Sequence, residues 1–262
     1  MEFTFAAYRR ALQTARARFD RITSAADFLD EPAAQRAAGS VLILRHDCER
    51  DLTKALEIAR IERDLGLRGS YYIRVHSEYY NLMLPAERAI LRQIAGMGHE
   101  IGLHYEPRFY DQDGMTLLDG IRADTAVLRA ILGADHALRS LTPHQPTLSP
   151  PDFAALAHEG LVDLYTHPDF RPLDYYSDSG MRWREKTLQQ AAETGTRVQF
   201  LTHPDFWNDT DIGWVDNLTR RVQACHRALD AVATHETEVL HAYLANRKAH
   251  DARFRAALEP KE

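Results

Sequence analysis

Short apolar runs and longer stretches of helical spacing alternate along the chain. Residues 3–19 read as an amphipathic helix and 24–38 as a shorter helical stretch. Val41-Leu42-Ile43-Leu44 is too short for a helix and passes at once into Arg45-His46-Asp47-Cys48-Glu49, the pattern of a buried strand with a polar end. Leu52, Leu56, Ala59 and Leu65 mark a helix stopped by Gly66. Ser70–Val75 reads as a second strand, 86–95 as a helix ending at Gly96 and Gly98, and Glu100–His104 as a third strand. A helix is expected over 116–132 and a short strand near Leu138–Leu141, leading into Thr142-Pro143-His144-Gln145-Pro146. Ser149-Pro150-Pro151-Asp152 has the chemistry of a helix start, and that helix should stop at Gly160. Leu161–Tyr165 and Arg197–Thr202 read as strands, with irregular chain of some strand character over 171–185 between them.

Strands alternating with helices argue for parallel βαβ units, hence an α/β fold, a distorted (β/α) barrel with helices added at both ends. The expected organisation is one domain over 1–262: a helical extension at 1–40, a barrel core at 41–207 and a C-terminal helix from 208 to 262. That last helix carries Val215, Leu218, Val222, Cys225, Leu229 and Val232 at 3/4 spacing. Such a stripe either packs the helix onto its own barrel or forms a homodimer seam.

Composition narrows the classes. With 262 residues, 45% apolar and 27% charged, the chain has the balance of a globular protein. The net charge of −6 offers no basic surplus for phosphates, so nucleic acid is not an expected partner. Cys48 and Cys225 are the only cysteines, which excludes a disulfide framework. The first residues lack the apolar stretch of a signal peptide, and no segment reaches the roughly 20 apolar residues of a membrane span. A cytoplasmic protein is therefore the expectation.

Histidine changes the picture. Many of the 13 histidines, with acids beside them, fall where predicted strands end: His46, Asp47 and Glu49; His76; His104 and Glu106; His144; His167 and Asp169; His203 and Asp205. In a parallel barrel those ends share one face, the face that carries active sites. Converging imidazoles and carboxylates suit Zn²⁺ or a similar divalent ion, one per chain, and an open position for water would make the site hydrolytic. His99-Glu100-Ile101-Gly102-Leu103-His104 only imitates a helical HExxH site. Its histidines are five apart in a predicted strand and face opposite sides, so His99 is expected to be a structural hydrogen-bonder. Cys48 stands between two acids, which disfavours the thiolate and with it a nucleophilic role. Thr-His-Pro-Asp-Phe occurs twice, at 166–170 and 202–206, each time after a predicted strand.

Over residues 41–207 these stretches resemble the NodB-homology polysaccharide deacetylases, carbohydrate esterase family 4, as a divergent branch. Leu44–Glu49 resembles the first motif, which implies Asp47 as base and Glu49 as metal ligand, with the reverse assignment open. Gly98–His104 resembles the second motif, whose last histidine, here His104, is a ligand. Leu201–Trp207 resembles the final motif, which makes His203 the general acid, and Tyr176–Trp183 resembles the segment beside it, where Asp178 would orient His203. The chain departs from the pattern at Arg108, where a second ligand histidine is usual, at Glu49, where Asp is usual, and at Thr142–Pro146, which replaces an arginine-proline motif. His144 is expected to supply the missing imidazole. Arg45, Tyr80, Trp183 and Trp207 are candidates for contact with a sugar, and for the aromatic residues core packing is an equal alternative. The resemblance implies metal-dependent removal of the N-acetyl group of an amino sugar in a polysaccharide or a glycan precursor. The alternatives are another C–N or ester hydrolase on this scaffold, or a degenerate member that only binds glycan.

Overall fold

The computed structural model of the chain describes residues 2–133, 136–145 and 153–258. Two compact units divide it, Met1–Asn217 and Leu218–Glu262. The first begins with α1 (Phe5–Arg16), β1 (Arg21–Thr23), α2 (Ala25–Asp30), α3 (Ala33–Ala37) and β2 (Val41–Cys48). It continues through α4 (Leu52–Asp64), β3 (Ser70–Ile73), α5 (Pro85–Gly96), β4 (Glu100–Tyr105), α6 (Pro107–Gln112) and α7 (Leu117–Leu132). Then follow β5 (Ser140–Pro143), α8 (Phe153–His158), β6 (Val162–Asp163), β7 (Asp174–Ser177), α9 (Leu188–Thr194) and β8 (Arg197–Thr202). α10 (Trp214–Ala245) starts in this unit. In the second unit, α10 is followed by α11 (Arg247–Leu258), and the Tyr243 and His250 rings meet edge to face at 5.6 Å. The stripe residues Leu229 and Val232 on α10 are 67% and 54% exposed.

Every strand pairing is parallel, in the order β6-β5-β4-β3-β2-β8-β7, with β1 added beside β2. β1 takes the lower half of one β2 edge (Arg21↔Val41) and β3 the upper half (Arg45↔Ser70). The sheet curls with helices around it, so the fold is the distorted (β/α) barrel that the alternation of elements predicts. Among the described residues, β6 and β7 are its two edges and do not pair.

The two-residue period of β2 sorts its side chains. Leu42 and Leu44 face the helices and pack in one core with Tyr8, Leu12, Ile58 and Ala59. Val41 and Ile43 face the inside, in a second core with Phe28, Tyr72, Leu164 and Phe170. Each fully buried Leu, Ile or Phe stabilises the fold by about 1.5–3 kcal/mol. α1 joins the outer core through Ala7, Tyr8, Ala11, Leu12 and Ala15, a 3/4 stripe, and Thr4 caps it by accepting the Ala7 N–H.

Several boundaries differ from the sequence expectation. The helical stretch at 24–38 is two helices, broken by Pro32, which lacks an N–H to donate. β2 runs from Val41 to Cys48, the buried strand with a polar end that the sequence predicts, and its polar residues are buried in pairs. The strand character read within 171–185 is β7, and α9 starts with a capping box in which Thr187 and Gln190 bond each other's backbone. The helix start at Ser149–Asp152 lies outside the described residues. No described helix is long and apolar enough to cross a membrane.

Candidate active site

The phase that turns Val41 and Ile43 inward also turns Arg45 and Asp47 inward, one and two steps nearer the barrel mouth. Arg45 is 1% exposed and grips Asp47 with two parallel bonds, Nε to Oδ1 at 3.0 Å and Nη2 to Oδ2 at 2.8 Å. Burial pushes the Asp47 carboxyl up, but the Arg45 charge, followed by His104, outweighs it and holds the group below the ordinary carboxylate value. Asp47 is thus a fixed, ionised carboxylate. Glu49 follows in the same phase. Burial raises its pKa too, yet the facing His104, His203 and Arg50 bring it far below its usual value.

Three imidazoles point their Nε2 atoms at one oxygen. Glu49 Oε1 lies 3.5 Å from His144, 3.6 Å from His203 and 3.9 Å from His104. His104 Nε2 is also 3.7 Å from Asp47 Oδ2. β4 presents His104 two residues beyond Gly102, where a Cβ would come within 2.5 Å of the Tyr72 ring and 2.7 Å of the Ser140 carbonyl oxygen. Only glycine lets β4 pass there. Thr142 on β5 lies 2.9 Å from His104 Nδ1 through its hydroxyl, and fixes the ring. His144 follows β5 and bonds Glu106 through Nδ1, while Glu106 is itself held by Arg74 Nη2 at 3.0 Å.

His203 follows β8. Its Nδ1 is 2.7 Å from Asp178 Oδ1, its backbone N–H donates to the same carboxylate at 2.9 Å, and Trp207 Nε1 donates to Oδ2 at 3.2 Å. Burial alone would lower the pKa of His203, but the bond to Asp178 and its charge, helped by Glu49 and Asp47, push it up to about 9. Its Nε2 therefore carries a proton at neutral pH. Asp205 accepts the backbone N–H groups of Arg50 at 3.0 Å and Asp51 at 2.7 Å, which sets the turn that carries Glu49.

The donor set fits a divalent cation. Two ligands at ~2.0–2.1 Å from a tetrahedral ion stand roughly 3.4 Å apart, close to the separations around Glu49 Oε1. Among the described residues, His104 Nε2 is buried with no hydrogen-bond partner, an orphaned acceptor 3.7 Å from Asp47 and 3.9 Å from Glu49. His144 carries a carboxylate on its far nitrogen and His104 a threonine, the arrangement that fixes a ligand tautomer. Among the described residues, no group of three or more His, Cys, Asp or Glu already closes tightly enough to enclose an ion.

The structure thus brings Asp47, Glu49, His104, His144, Asp178 and His203 together, and leaves the other candidates elsewhere. Arg45, Tyr80 and Trp207 are corrections, since burial denies them a sugar. Arg45 is spent on Asp47. The Tyr80 hydroxyl lies 2.8 Å from the carbonyl oxygens of Cys48 and Arg74, and Trp207 is 0% exposed. Trp183 is half-buried, its face stacked on Phe3 with centroids 4.8 Å apart. His46 has the opposite phase to Asp47 and meets Glu62 at 2.8 Å in the helix layer. His99 uses both ring nitrogens on backbone, at Gly69 N–H and Ala59 C=O. His76 bonds Asp124 at 2.9 Å. The first Thr-His-Pro-Asp-Phe copy is not a second acid: Asp169 pairs with Arg36 at 2.9 Å, and His167 lines a separate cavity with Leu29, Arg36 and Arg139. Burial first, then the charges of Asp205, Asp47 and Glu49, push the Cys48 thiol well up, so it is no nucleophile. Glu106, Arg74, Thr142 and Asp205 were given no role by the sequence.

The chain matches no protein-family model, and no curated protein matches it. Solved structures of carbohydrate esterase family 4 do match. A family 4 pseudoenzyme from Bacillus anthracis is 10% identical, with a TM-score of 0.43, over 71% of this chain and 60% of that one. The chain thus spans about three fifths of that protein's length. The chitin deacetylase of the fungus Colletotrichum lindemuthianum is 12% identical, with a TM-score of 0.44, over 70% of this chain and 81% of that one. The peptidoglycan deacetylase PdaC of Bacillus subtilis, as a D285S mutant, is 11% identical, with a TM-score of 0.41, over 83% of this chain and 97% of that one.

Proposed function

We propose that the protein is a metal-dependent hydrolase that removes the N-acetyl group of an amino sugar. The observation that carries this reading is the convergence of His104, His144 and His203 Nε2 on Glu49 Oε1, beside an Asp47 held by Arg45. Glu49, His104 and His144 would hold the ion. Glu49 faces three imidazoles, whereas both Asp47 oxygens are engaged by Arg45, and this favours Glu49 as ligand and Asp47 as base. When bound, a divalent cation polarises the acetyl carbonyl and acidifies water.

The chain's residues then divide the proton work. Asp47 takes one proton from the attacking water as the C–O bond forms at the acetyl carbon. His203 gives its Nε2 proton to the departing nitrogen as the C–N bond breaks, so the products are a free amine and acetic acid, which loses its remaining proton to solvent as acetate. Asp178 holds the imidazolium in place by accepting from Nδ1. The amino-sugar substrate rests on the motif resemblance of Leu44–Glu49, Gly98–His104 and Leu201–Trp207. Acetate release from N-acetylglucosamine oligomers, with and without a chelator, tests the reading. Chelator-sensitive release supports it, and no release from the metal-loaded protein overturns it.

A further inference from the structure

β6 and β7 are the two unpaired edges of the curled sheet, and two tyrosines meet across the gap between them. Tyr165 lies two residues beyond β6, and Tyr175 is in β7, opposite Gln199 of β8. Their hydroxyl oxygens are 3.3 Å apart and their ring centroids 6.2 Å, tilted by 54°. Each is 39% exposed, unlike the aromatic residues of the two cores. The ring of Tyr165 is stacked on the buried Arg45 guanidinium, whose central carbon is 5.0 Å from its centroid. Arg45 in turn grips Asp47. The aromatic surface is therefore continuous, through one side chain, with the carboxylate that we assign as base.

We propose that Tyr165 and Tyr175 form the platform on which a pyranose ring of the substrate stacks beside Asp47. This rests on the deacetylase reading for the identity of the ligand as a glycan. Three features fit a neutral sugar. A tyrosine ring offers an apolar face to the C–H side of a pyranose and a hydroxyl to its rim. The paired hydroxyls give adjacent donor and acceptor positions. The cation beneath Tyr165 is already neutralised by Asp47, so the platform has no free charge there to draw a phosphate. It is also rigid. The Tyr165 N–H donates to Asp163 Oδ1 at 2.9 Å, and Asp163 is anchored by the Tyr105 hydroxyl at 2.9 Å. A platform fixed in advance loses little side-chain freedom on binding.

Calorimetric titration with N-acetylglucosamine and with its β-linked tetramer tests this, with acetate release followed in parallel. Wild type should bind the tetramer more tightly than the monomer. Tyr165→Ala and Tyr175→Ala should each weaken tetramer binding by about three- to tenfold, while Tyr165→Phe, which keeps the ring, should retain most of it. If the alanine variants do not fold, leucine variants remove the flat ring and keep apolar volume. A pair that merely clasps the barrel would lower the melting temperature of the alanine variants and leave their affinity unchanged, which overturns the platform. No binding of the tetramer by wild type, or equal losses in Phe and Ala variants, overturns it too. Tetramer binding that follows the predicted variant pattern without acetate release would keep the platform and sink the hydrolase reading.

Discussion

Replacing His203 with alanine should separate amide from ester hydrolysis. The ring sits 3.6 Å from Glu49 Oε1 by Nε2 and 2.7 Å from Asp178 by Nδ1. With its pKa pushed up to about 9, His203 is about 99% charged at pH 7, against roughly a quarter for a histidine at its ordinary value. The acid is therefore loaded before substrate arrives. General acid catalysis contributes about 10²–10⁴-fold, or roughly 2.7–5.5 kcal/mol of barrier. An amine is a poor leaving group and needs that proton, whereas a phenolate does not. His203→Ala should lose activity in that range on an acetamido sugar and less than about tenfold on an aryl acetate. In wild type, amide turnover should fall as pH rises through about 9, because the charged form is the active one. Asp178→Asn removes the negative charge that helps raise the ring, so it should bring that descending limb to lower pH. Acetate and phenolate release measured side by side decide the matter. Equal losses on both substrates would refute the assignment, and His167 is no replacement, since it lines a separate cavity with Arg36.

Asp47→Asn should keep its metal and lose about 10²–10⁴ in turnover. Loss of metal along with activity would make Asp47 a ligand and give Glu49 the base role. Glu106→Gln removes the charge behind His144 and should weaken metal affinity by about 10–100-fold in chelator competition; unchanged affinity would contradict the role given to Glu106. Glu62 is buried, which raises its pKa, but His46, His99 and the Tyr8 hydroxyl bring it down from 4.5 to about 2. A depressed carboxylate stabilises the fold above its ordinary pKa and loses that contribution as pH falls toward the folded value. The gap between 4.5 and about 2 corresponds to on the order of 3 kcal/mol. Between pH 5 and pH 2.5, urea unfolding should show wild type losing more stability than Glu62→Gln by most of this amount, and parallel losses would refute it.

The sequence revealed the barrel because buried parallel strands are short apolar runs, and Val41–Leu44, Tyr71–Ile73 and Val198–Leu201 stand clear of their helices. Asp47, Glu49, His104, His144 and His203 were legible because each follows a predicted strand, whereas Asp178 follows β7 and was legible only through the motif resemblance. Side-chain phase is readable in the same way. Arg45 and Asp47 are two apart and share a face, so their pairing follows from the period of a strand, and the same period sends His46 to the other side. The Glu106–Arg74 link was not readable, since it depends on β3 lying beside β4. Residue type misled for Trp207 and Tyr80, as a large aromatic suits a core as well as a sugar surface. Tyr165 and Tyr175 stand out only once β6 and β7 are known to be unpaired edges.

Metal content tests the central claim most directly. Elemental analysis of the purified wild type should find about one divalent ion per chain, and Glu49→Ala, His104→Ala and His144→Ala should each lose it while still folding. His203→Ala should keep it. A full equivalent of metal retained in all three ligand variants, or no metal bound by wild type under saturating zinc, would contradict the account.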